Sequence, residues 1–133
     1  MLEQTARPLS GLRFLIVEDE ILQAMRLGEM LAEMGGTISE TAFGYEDARK
    51  AVNESPFDCV LLDINLNGTL SFPIADMLKG KGIPFVFCTA YADGVDAYPG
   101  APEVQRVDKP VQPSKLRDAV LSSLEAGKDR RRQ

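Results

Sequence analysis

The segment Asp58-Cys59-Val60-Leu61-Leu62-Asp63 constrains the fold of this chain more than any other stretch. An unbroken apolar run ends at the carboxylate of Asp63, and the turn-forming pair Asn67-Gly68 follows a few residues later. A run of this kind favours a strand that is buried on both faces, as in a parallel sheet covered by helices. Ligands of such sheets bind at the carboxyl ends of the strands. Asp63 is therefore the first candidate for a functional residue.

Strand-like and helix-like segments alternate along the rest of the chain. The strand-like segments are residues 12–17, 37–41, 58–63, 84–88 and 104–107. The segment 37–41 is short, polar and alternating, which is typical of a strand at the edge of a sheet. Apolar residues at helical spacing begin near Ile21, Tyr45, Ser71 and Pro113. This order predicts an α/β fold with a doubly wound, five-stranded parallel sheet and right-handed crossovers.

The pattern indicates one domain with two short ends. Residues 1–10 have no clear period and are interpreted as a flexible arm, residues 11–127 as the domain, and residues 128–133 as a charged, disordered tail. Two glycines and two prolines lie between residues 93 and 102. Because both residue types interrupt helices, the fourth helix is expected to be short or replaced by a loop.

Composition excludes several classes of function. Histidine is absent, which excludes histidine-based catalysis, metal ligation and phosphotransfer from this chain. The net charge of −5 gives no general attraction to nucleic acid or to an anionic membrane. The run Arg130-Arg131-Arg132 is therefore read as a solvated tail.

The same sequence predicts a cytoplasmic protein. Cys59 and Cys88 lie inside apolar runs, as buried thiols do in a reducing compartment. We see neither an apolar segment long enough to span a membrane nor a signal peptide. A monomer or weak dimer is expected.

Polar residues follow four of the predicted strands. They are Glu18 and Asp19, Asp63, Thr89, and Lys109. Because the carboxyl ends of parallel strands meet at one edge of a sheet, we expect these side chains to lie together. Three carboxylates repel one another and need a cation, and oxygen ligands with open positions suit Mg²⁺.

A metal beside a carboxylate, a hydroxyl and an ammonium group can bind a phosphoryl group. Asp63 would attack phosphorus as the nucleophile. Mg²⁺ and Lys109 would offset the charge on the phosphoryl oxygens, and Thr89 would donate a hydrogen bond to one of them. Each residue alone has a structural explanation, as a helix-terminal acid, a turn residue, a strand end or a solvated charge. Their joint position at the ends of four strands favours a functional explanation over these structural ones.

Residues 11–125 resemble the receiver domain of two-component response regulators. The matching motifs are Val-Glu-Asp-Glu at 17–20, Leu-Leu-Asp-Ile-Asn-Leu-Asn-Gly at 61–68, Thr-Ala at 89–90 and Lys-Pro at 109–110. The resemblance implies a flavodoxin-like three-layer sandwich. It also implies a sensor histidine kinase or a histidine phosphotransfer protein as the partner that supplies the phosphoryl group.

The resemblance assigns a role to each of these residues. Asp63 is the implied phosphoacceptor, Glu18 and Asp19 are the acidic metal pair, the backbone carbonyl of Asn65 is the third protein ligand of Mg²⁺, and Thr89 and Lys109 bind the phosphoryl group. The implied protein is a signalling domain, not an enzyme, which promotes only its own phosphorylation and dephosphorylation.

Two departures from the family pattern concern the switch between signalling states. Most receivers carry an aromatic residue three positions before the lysine, where this chain has Arg106, and most have a helix where residues 93–102 are rich in glycine and proline. With Pro-Phe-Val-Phe-Cys-Thr-Ala-Tyr at 84–91, both features resemble the subgroup with a Pro-Phe-x-Phe-x-Thr-Gly-Tyr signature. Ala90 replaces the glycine of that signature. The hypothesis is that Tyr91 takes over part of the switch role and that the loop 92–103 responds to phosphorylation.

The expected function is a stand-alone phosphorylatable switch. No output domain is visible after the last helix, so the signal is expected to pass by protein contact or by onward phosphotransfer. One alternative is a metal-dependent phosphohydrolase with an aspartyl-phosphate intermediate, although Asn65 stands where those enzymes usually place a second Asp. Another is an interaction module that is not phosphorylated. A flavin-binding domain is disfavoured, because Glu18-Asp19-Glu20 stands where a phosphate-cradling loop would be needed.

Overall fold

The central element is a parallel sheet whose strands are joined by helices. The computed structural model describes residues 7–54, 56–90 and 94–132. The strands of this sheet are β1 (Arg13–Val17), β2 (Thr37–Ala42), β3 (Cys59–Asp63), β6 (Phe85–Thr89) and β7 (Gln105–Asp108). They lie in the order β2-β1-β3-β6-β7, and every pairing is parallel. The order reverses between β1 and β3, which is where open α/β sheets form their ligand sites.

Helices cover both faces of the sheet. They are α1 (Ile21–Glu33), α2 (Tyr45–Glu54), α3 (Phe72–Lys81) and α4 (Pro113–Arg132). Apolar residues of α1 and α4 pack on one face, and those of α2 and α3 pack on the other. Strand β3 is buried at every position, since it contacts both layers. The predicted fold class, a doubly wound parallel sheet in a flavodoxin-like three-layer sandwich, is confirmed.

A small hairpin follows Asp63, and it was not predicted. Strands β4 (Asn65–Leu66) and β5 (Thr69–Leu70) pair antiparallel. Asn67 and Gly68 form the turn between them with φ angles of 53° and 90°. Positive φ at both central residues is the type I′ geometry that Asn-Gly pairs favour.

The segment before β7 contains no α-helix among its described residues. Two short 3₁₀ turns, Val95–Ala97 and Ala101–Glu103, take its place. Each turn follows a glycine with positive φ, Gly94 or Gly100, which an L-residue would adopt only with strain. The expectation that the fourth helix would be short or replaced is therefore confirmed.

The structure differs from the predicted ends of the domain at two places, whereas residues 1–6 and 133 lie outside the described residues. Leu9 was placed in a flexible arm, but it is fully buried, and its amide donates a hydrogen bond to the Met34 carbonyl oxygen at 2.9 Å. Helix α4 continues to Arg132, although residues 128–133 were predicted to form a disordered tail. Neither short segment has a clear hydrophobic period, so the sequence pattern did not predict these two features. Among the described residues, no helix combines the length and the apolar character that crossing a membrane requires.

Candidate functional site

The register of the strands brings the predicted site residues together. Val17 of β1 pairs with Leu62 of β3, which places the following residues, Glu18 and Asp63, side by side. On the other side of β3, the end of β6 pairs with the end of β7. The Lys109 amide, just past β7, donates a hydrogen bond to the Thr89 carbonyl oxygen at 2.9 Å. Four strand ends therefore meet at one edge of the sheet, as the sequence predicted.

The acidic residues form a compact and largely buried group. Glu18 and Asp63 are 1% and 3% exposed, and Asp19 is half-buried. One carboxylate oxygen of each residue lies within 4.8 Å of the others. Because like charges at this separation repel strongly when they are shielded from water, the group needs positive charge close by.

Lys109 supplies part of that charge. Its Nζ atom lies 2.9 Å from Glu18 Oε1 and 3.2 Å from Asp63 Oδ2. Burial lowers the pKa of Lys109, but the two carboxylates raise it by more, so the net shift is upward and the side chain stays an ammonium group. Burial raises the pKa of Asp63, and the neighbouring Glu18 raises it further, while Lys109 opposes both effects.

One buried carboxylate oxygen of Glu18 has no hydrogen-bond donor besides Lys109 among the described residues. Glu18 Oε2 accepts a hydrogen bond from the Glu20 amide at 3.1 Å. Glu18 Oε1 forms an ion pair with Lys109 Nζ at 2.9 Å, and no other group among the described residues donates a hydrogen bond to it. A buried, under-satisfied carboxylate oxygen facing two other carboxylates is the donor set that a hard divalent cation binds. The residues present therefore fit Mg²⁺, which Glu18, Asp19 and Asp63 would hold.

The hairpin after Asp63 packs against the acidic group. Asp19 Oδ2 accepts a hydrogen bond from the Asn67 amide at 3.1 Å. Asn65 Oδ1 accepts one from the Gly68 amide at 2.7 Å, which holds the Asn65 side chain against the hairpin turn. The backbone carbonyl of Asn65 remains the predicted ligand.

Thr89 lies at the predicted strand end, and its hydroxyl is bonded to the neighbouring backbone. It is 4% exposed, and its hydroxyl donates to the Ala90 carbonyl oxygen at 2.9 Å. The edge of the sheet holds an open cavity of about 360 Å³. Its described lining comprises Asp19, Glu20, Gln23, Asp63, Asn65, Asn67, Gly68, Ala90 and Lys109. Thr89 itself is not among the described residues that line this cavity.

The two proposed switch positions have different outcomes. Tyr91 lies outside the described residues, so its role stays a prediction. Arg106 is exposed on β7, beside Phe87 of β6 in the register. The structure does not bring it into the group of acids.

Two buried side chains, Ser71 and Tyr98, were not among the predicted functional residues. Ser71 donates a hydrogen bond to the backbone of Asp63. Tyr98 packs its ring against Phe72 and Phe87, at centroid distances of 5.0 and 5.4 Å, and its hydroxyl donates to Asp76 at 2.7 Å. The available signals were a serine just before Phe72-Pro73, where proline marks a first helical turn, and a lone aromatic within the Gly/Pro-rich segment. Sequence spacing alone did not say what either residue contacts.

The sequence is similar to a described protein family and to regulatory proteins. The model of the response regulator receiver domain matches residues 14–121. The TorCAD operon transcriptional regulatory protein TorR of Escherichia coli O157:H7 is 31% identical over 107 residues, which are 80% of this chain and 46% of TorR. The transcriptional regulatory protein TcrA of Mycobacterium tuberculosis is 33% identical over 94 residues, covering 69% of this chain and 37% of TcrA. The chain thus spans less than half the length of these relatives.

Solved structures show the same architecture. SdrG from Sphingomonas melonis Fr1 superposes with a TM-score of 0.74 and 33% identity, covering 88% of this chain and 97% of SdrG. The REC domain of the PhyR response regulator from Erythrobacter litoralis gives a TM-score of 0.75 and 30% identity, covering 87% of this chain and 92% of that domain.

Proposed function

This chain belongs to the response regulator receiver domain family, and we propose that it accepts a phosphoryl group on the carboxylate of Asp63. Domains of this family act in two-component signalling, not as metabolic enzymes. The observation that supports the proposal best is the surroundings of Asp63. Its nearly buried carboxylate faces the cavity 3.2 Å from Lys109 Nζ and within 4.8 Å of two further carboxylates.

The proposed chemistry is a direct transfer between two nucleophiles. An oxygen of the ionised Asp63 carboxylate forms a bond to phosphorus, while the bond from phosphorus to the donor, a histidine nitrogen or the oxygen of a small phosphodonor, breaks with its electron pair. The product is an acyl phosphate on Asp63. When bound, Mg²⁺ offsets negative charge on the transferring group. Lys109, already in contact with Asp63, favours the ionised carboxylate. After transfer its ammonium group would offset the negative charge of the phosphoryl oxygens.

Thr89 has a second role in the proposal. Its hydroxyl donates to a neighbouring carbonyl in the unphosphorylated protein. A phosphoryl oxygen above Asp63 is a stronger, charged acceptor than a carbonyl oxygen. We expect the hydroxyl to turn towards it once the acyl phosphate forms, which couples the end of β6 to the state of Asp63. In the subgroup that the segment 84–91 resembles, Tyr91 and the loop after it would relay this change.

The phosphodonor partner would be a histidine kinase or a histidine phosphotransfer protein that docks beside α1. The first turns of this helix expose three large apolar side chains, Ile21, Leu22 and Met25, at 63%, 80% and 56%. A groove of about 370 Å³ runs from Gln23 and Arg26 to Lys109 and Val111, along the edge of the site. Exposed apolar residues next to a polar site are typical of a protein docking surface. The phosphorylated protein would then signal by contact with another protein or by onward transfer of the phosphoryl group.

The proposal is tested by the mass of the protein after incubation with Mg²⁺ and a small phosphodonor. The parent is expected to gain one phosphoryl group, and Asp63→Asn is expected to gain none. Asp58→Asn is the matched control, since Asp58 lies just before the other end of the same strand and pairs with Arg13 at 3.1 Å, far from the acids. Equal labelling of the parent and Asp63→Asn would overturn the assignment. Rapid multiple turnover of a small phosphate ester would favour the phosphohydrolase instead.

A further inference from the structure

Ser71 is a buried polar residue next to Asp63 to which the proposed function gives no role. Its side chain is 0% exposed, and its hydroxyl donates a 2.6 Å hydrogen bond to the main-chain carbonyl oxygen of Asp63. This distance is at the short end for a hydroxyl donor. A hydroxyl withdrawn from water is costly unless it is bonded, so the environment holds this contact in place.

The position of Ser71 makes this contact unusual. Ser71 immediately precedes helix α3, where a serine oxygen commonly accepts a hydrogen bond from an amide of the first turn. Here the side chain makes no such bond to the helix. The Ser71 carbonyl oxygen accepts hydrogen bonds from the amides of Ile74 and Ala75 at 2.9 and 3.1 Å, as the carbonyl before a helix ordinarily does. The Ser71 hydroxyl thus donates to the Asp63 backbone and does not cap the helix.

Ser71 also closes the base of the hairpin that carries Asn65. The Ser71 amide donates to the Ile64 carbonyl oxygen at 2.8 Å. The hydroxyl and the amide of Ser71 therefore bond to Asp63 and Ile64, respectively. These two residues precede the hairpin, and Ser71 follows it. The far end of the hairpin is tied to the acids by the bond from the Asn67 amide to Asp19. Loss of the bonds at the base would leave the hairpin attached mainly at its tip.

We infer that Ser71 is a positioning residue, which fixes the backbone of Asp63 and the hairpin so that the carboxylate and the Asn65 carbonyl keep their places at the edge of the sheet. This inference rests on the proposed function in so far as it concerns phosphorylation. The hold on the hairpin is a property of the unmodified protein and can be measured without any phosphodonor.

The test compares Ser71→Ala with Ser123→Ala. Ser123 is a matched control: it is 4% exposed, and its hydroxyl donates to the Val120 carbonyl oxygen at 2.7 Å within α4, away from the acids. Amide hydrogen exchange of residues 64–71 is measured in the unmodified proteins. The rate of labelling by a small phosphodonor is measured at saturating Mg²⁺, and thermal unfolding reports overall stability.

Both variants are expected to unfold at a lower temperature, because each loses a buried hydrogen bond. Only Ser71→Ala should accelerate exchange in the hairpin and slow labelling, by on the order of ten- to a hundred-fold, as misplacement of reacting groups does. Ser71→Thr keeps the hydroxyl and should label at nearly the parent rate, while Ser71→Cys, of similar size but with a weak donor, should follow alanine. If Ser71→Ala does not fold, the labelling rates of Ser71→Thr and Ser71→Cys test the role of the hydroxyl in its place.

Two results would overturn the inference. One is hairpin exchange in Ser71→Ala that rises no more than in Ser123→Ala, and the other is labelling that falls equally in both and follows stability alone. If the parent itself is not labelled, the proposed function fails. The exchange comparison still decides whether Ser71 holds the hairpin.

Discussion

The carboxylate of Asp63 is almost removed from water, so its charge depends on its neighbours. Burial and Glu18 raise its pKa, and Lys109 lowers it. A change of one pKa unit corresponds to about 1.4 kcal/mol between the two protonation states. A cation bound by the three acids would act in the same direction as Lys109. The reactivity of Asp63 as a nucleophile is therefore set by charges that come from other strands.

The two cysteines illustrate the opposite case, in which burial makes a residue inert. Burial raises the pKa of both Cys59 and Cys88 to about 12, because a thiolate would be far from water. Both side chains are almost fully enclosed. At pH 8 the thiols are therefore protonated as well as inaccessible, and a thiol reagent should react with neither of them. Colour development with an aromatic disulfide reagent measures this. Reaction should follow complete unfolding in denaturant, and rapid modification of the native protein would contradict the prediction.

At the scale of elements, the turn between α1 and β2 depends on a glycine pair. Gly35 has a φ of 96°, and the amides of Gly35 and Gly36 donate to the carbonyl oxygens of Ala32 and Leu31 at 3.0 and 2.9 Å. This is the Schellman arrangement that ends many helices. At Gly36 a Cβ atom would lie 2.7 Å from the Phe14 ring, closer than carbon atoms can approach. The turn therefore brings the backbone directly onto a core side chain.

Two alanine substitutions test this packing. Gly36→Ala should lower the free energy of unfolding by about 1–3 kcal/mol, because Phe14 must move in a filled core. Gly80 is the control: it lies within α3, its φ is not positive, and a Cβ there would meet nothing within 4 Å. Gly80→Ala should raise the free energy of unfolding by up to about 1 kcal/mol, since alanine favours a helix more than glycine does. Urea denaturation measures both values. A Gly36→Ala variant as stable as the parent would refute the close contact.

The segment between β6 and β7 shows how an element can be replaced without loss of core. Its glycines and prolines prevent a regular helix, but Tyr98 still buries its ring against Phe72 and Phe87. Lys79 lies over the same ring, 4.7 Å from its centroid. The Tyr98 ring, whose hydroxyl donates to Asp76, thus fills the layer in which a helix would otherwise pack.

At the scale of the whole molecule, a ligand that binds only the folded state stabilises the fold. The acids come from β1 and β3, so the cluster exists only when the sheet has formed. Mg²⁺ at ten times its dissociation constant should therefore add about 1.4 kcal/mol to the free energy of unfolding of the parent. Asp63→Asn and Asp19→Asn should show a much smaller gain. Thermal unfolding at constant ionic strength, balanced with NaCl, separates binding from general screening of the net charge of −5. An equal gain in all three proteins would contradict a specific site.

The sequence by itself determined the class of fold and most of the site. Hydrophobic periodicity and turn residues are local properties, so they were enough to predict the alternation of strands and helices. Because parallel strands end at one edge of a sheet, the sequence also predicts that Glu18, Asp63, Thr89 and Lys109 lie together. The boundaries were less well predicted: Leu9 is buried and helix α4 extends to Arg132, but neither short segment has a clear hydrophobic period.

Only the tertiary structure decided which of these residues touch. Strand order and register are properties of pairs of segments far apart in the chain, and they place Lys109 within 3.2 Å of Asp63 while Thr89 faces a carbonyl. The hairpin at 65–70 and the bond from Ser71 to Asp63 likewise depend on how the chain returns to the sheet after β3. Contacts of this kind are set by the balance of burial, charge and hydrogen bonding among distant residues, which no local pattern contains.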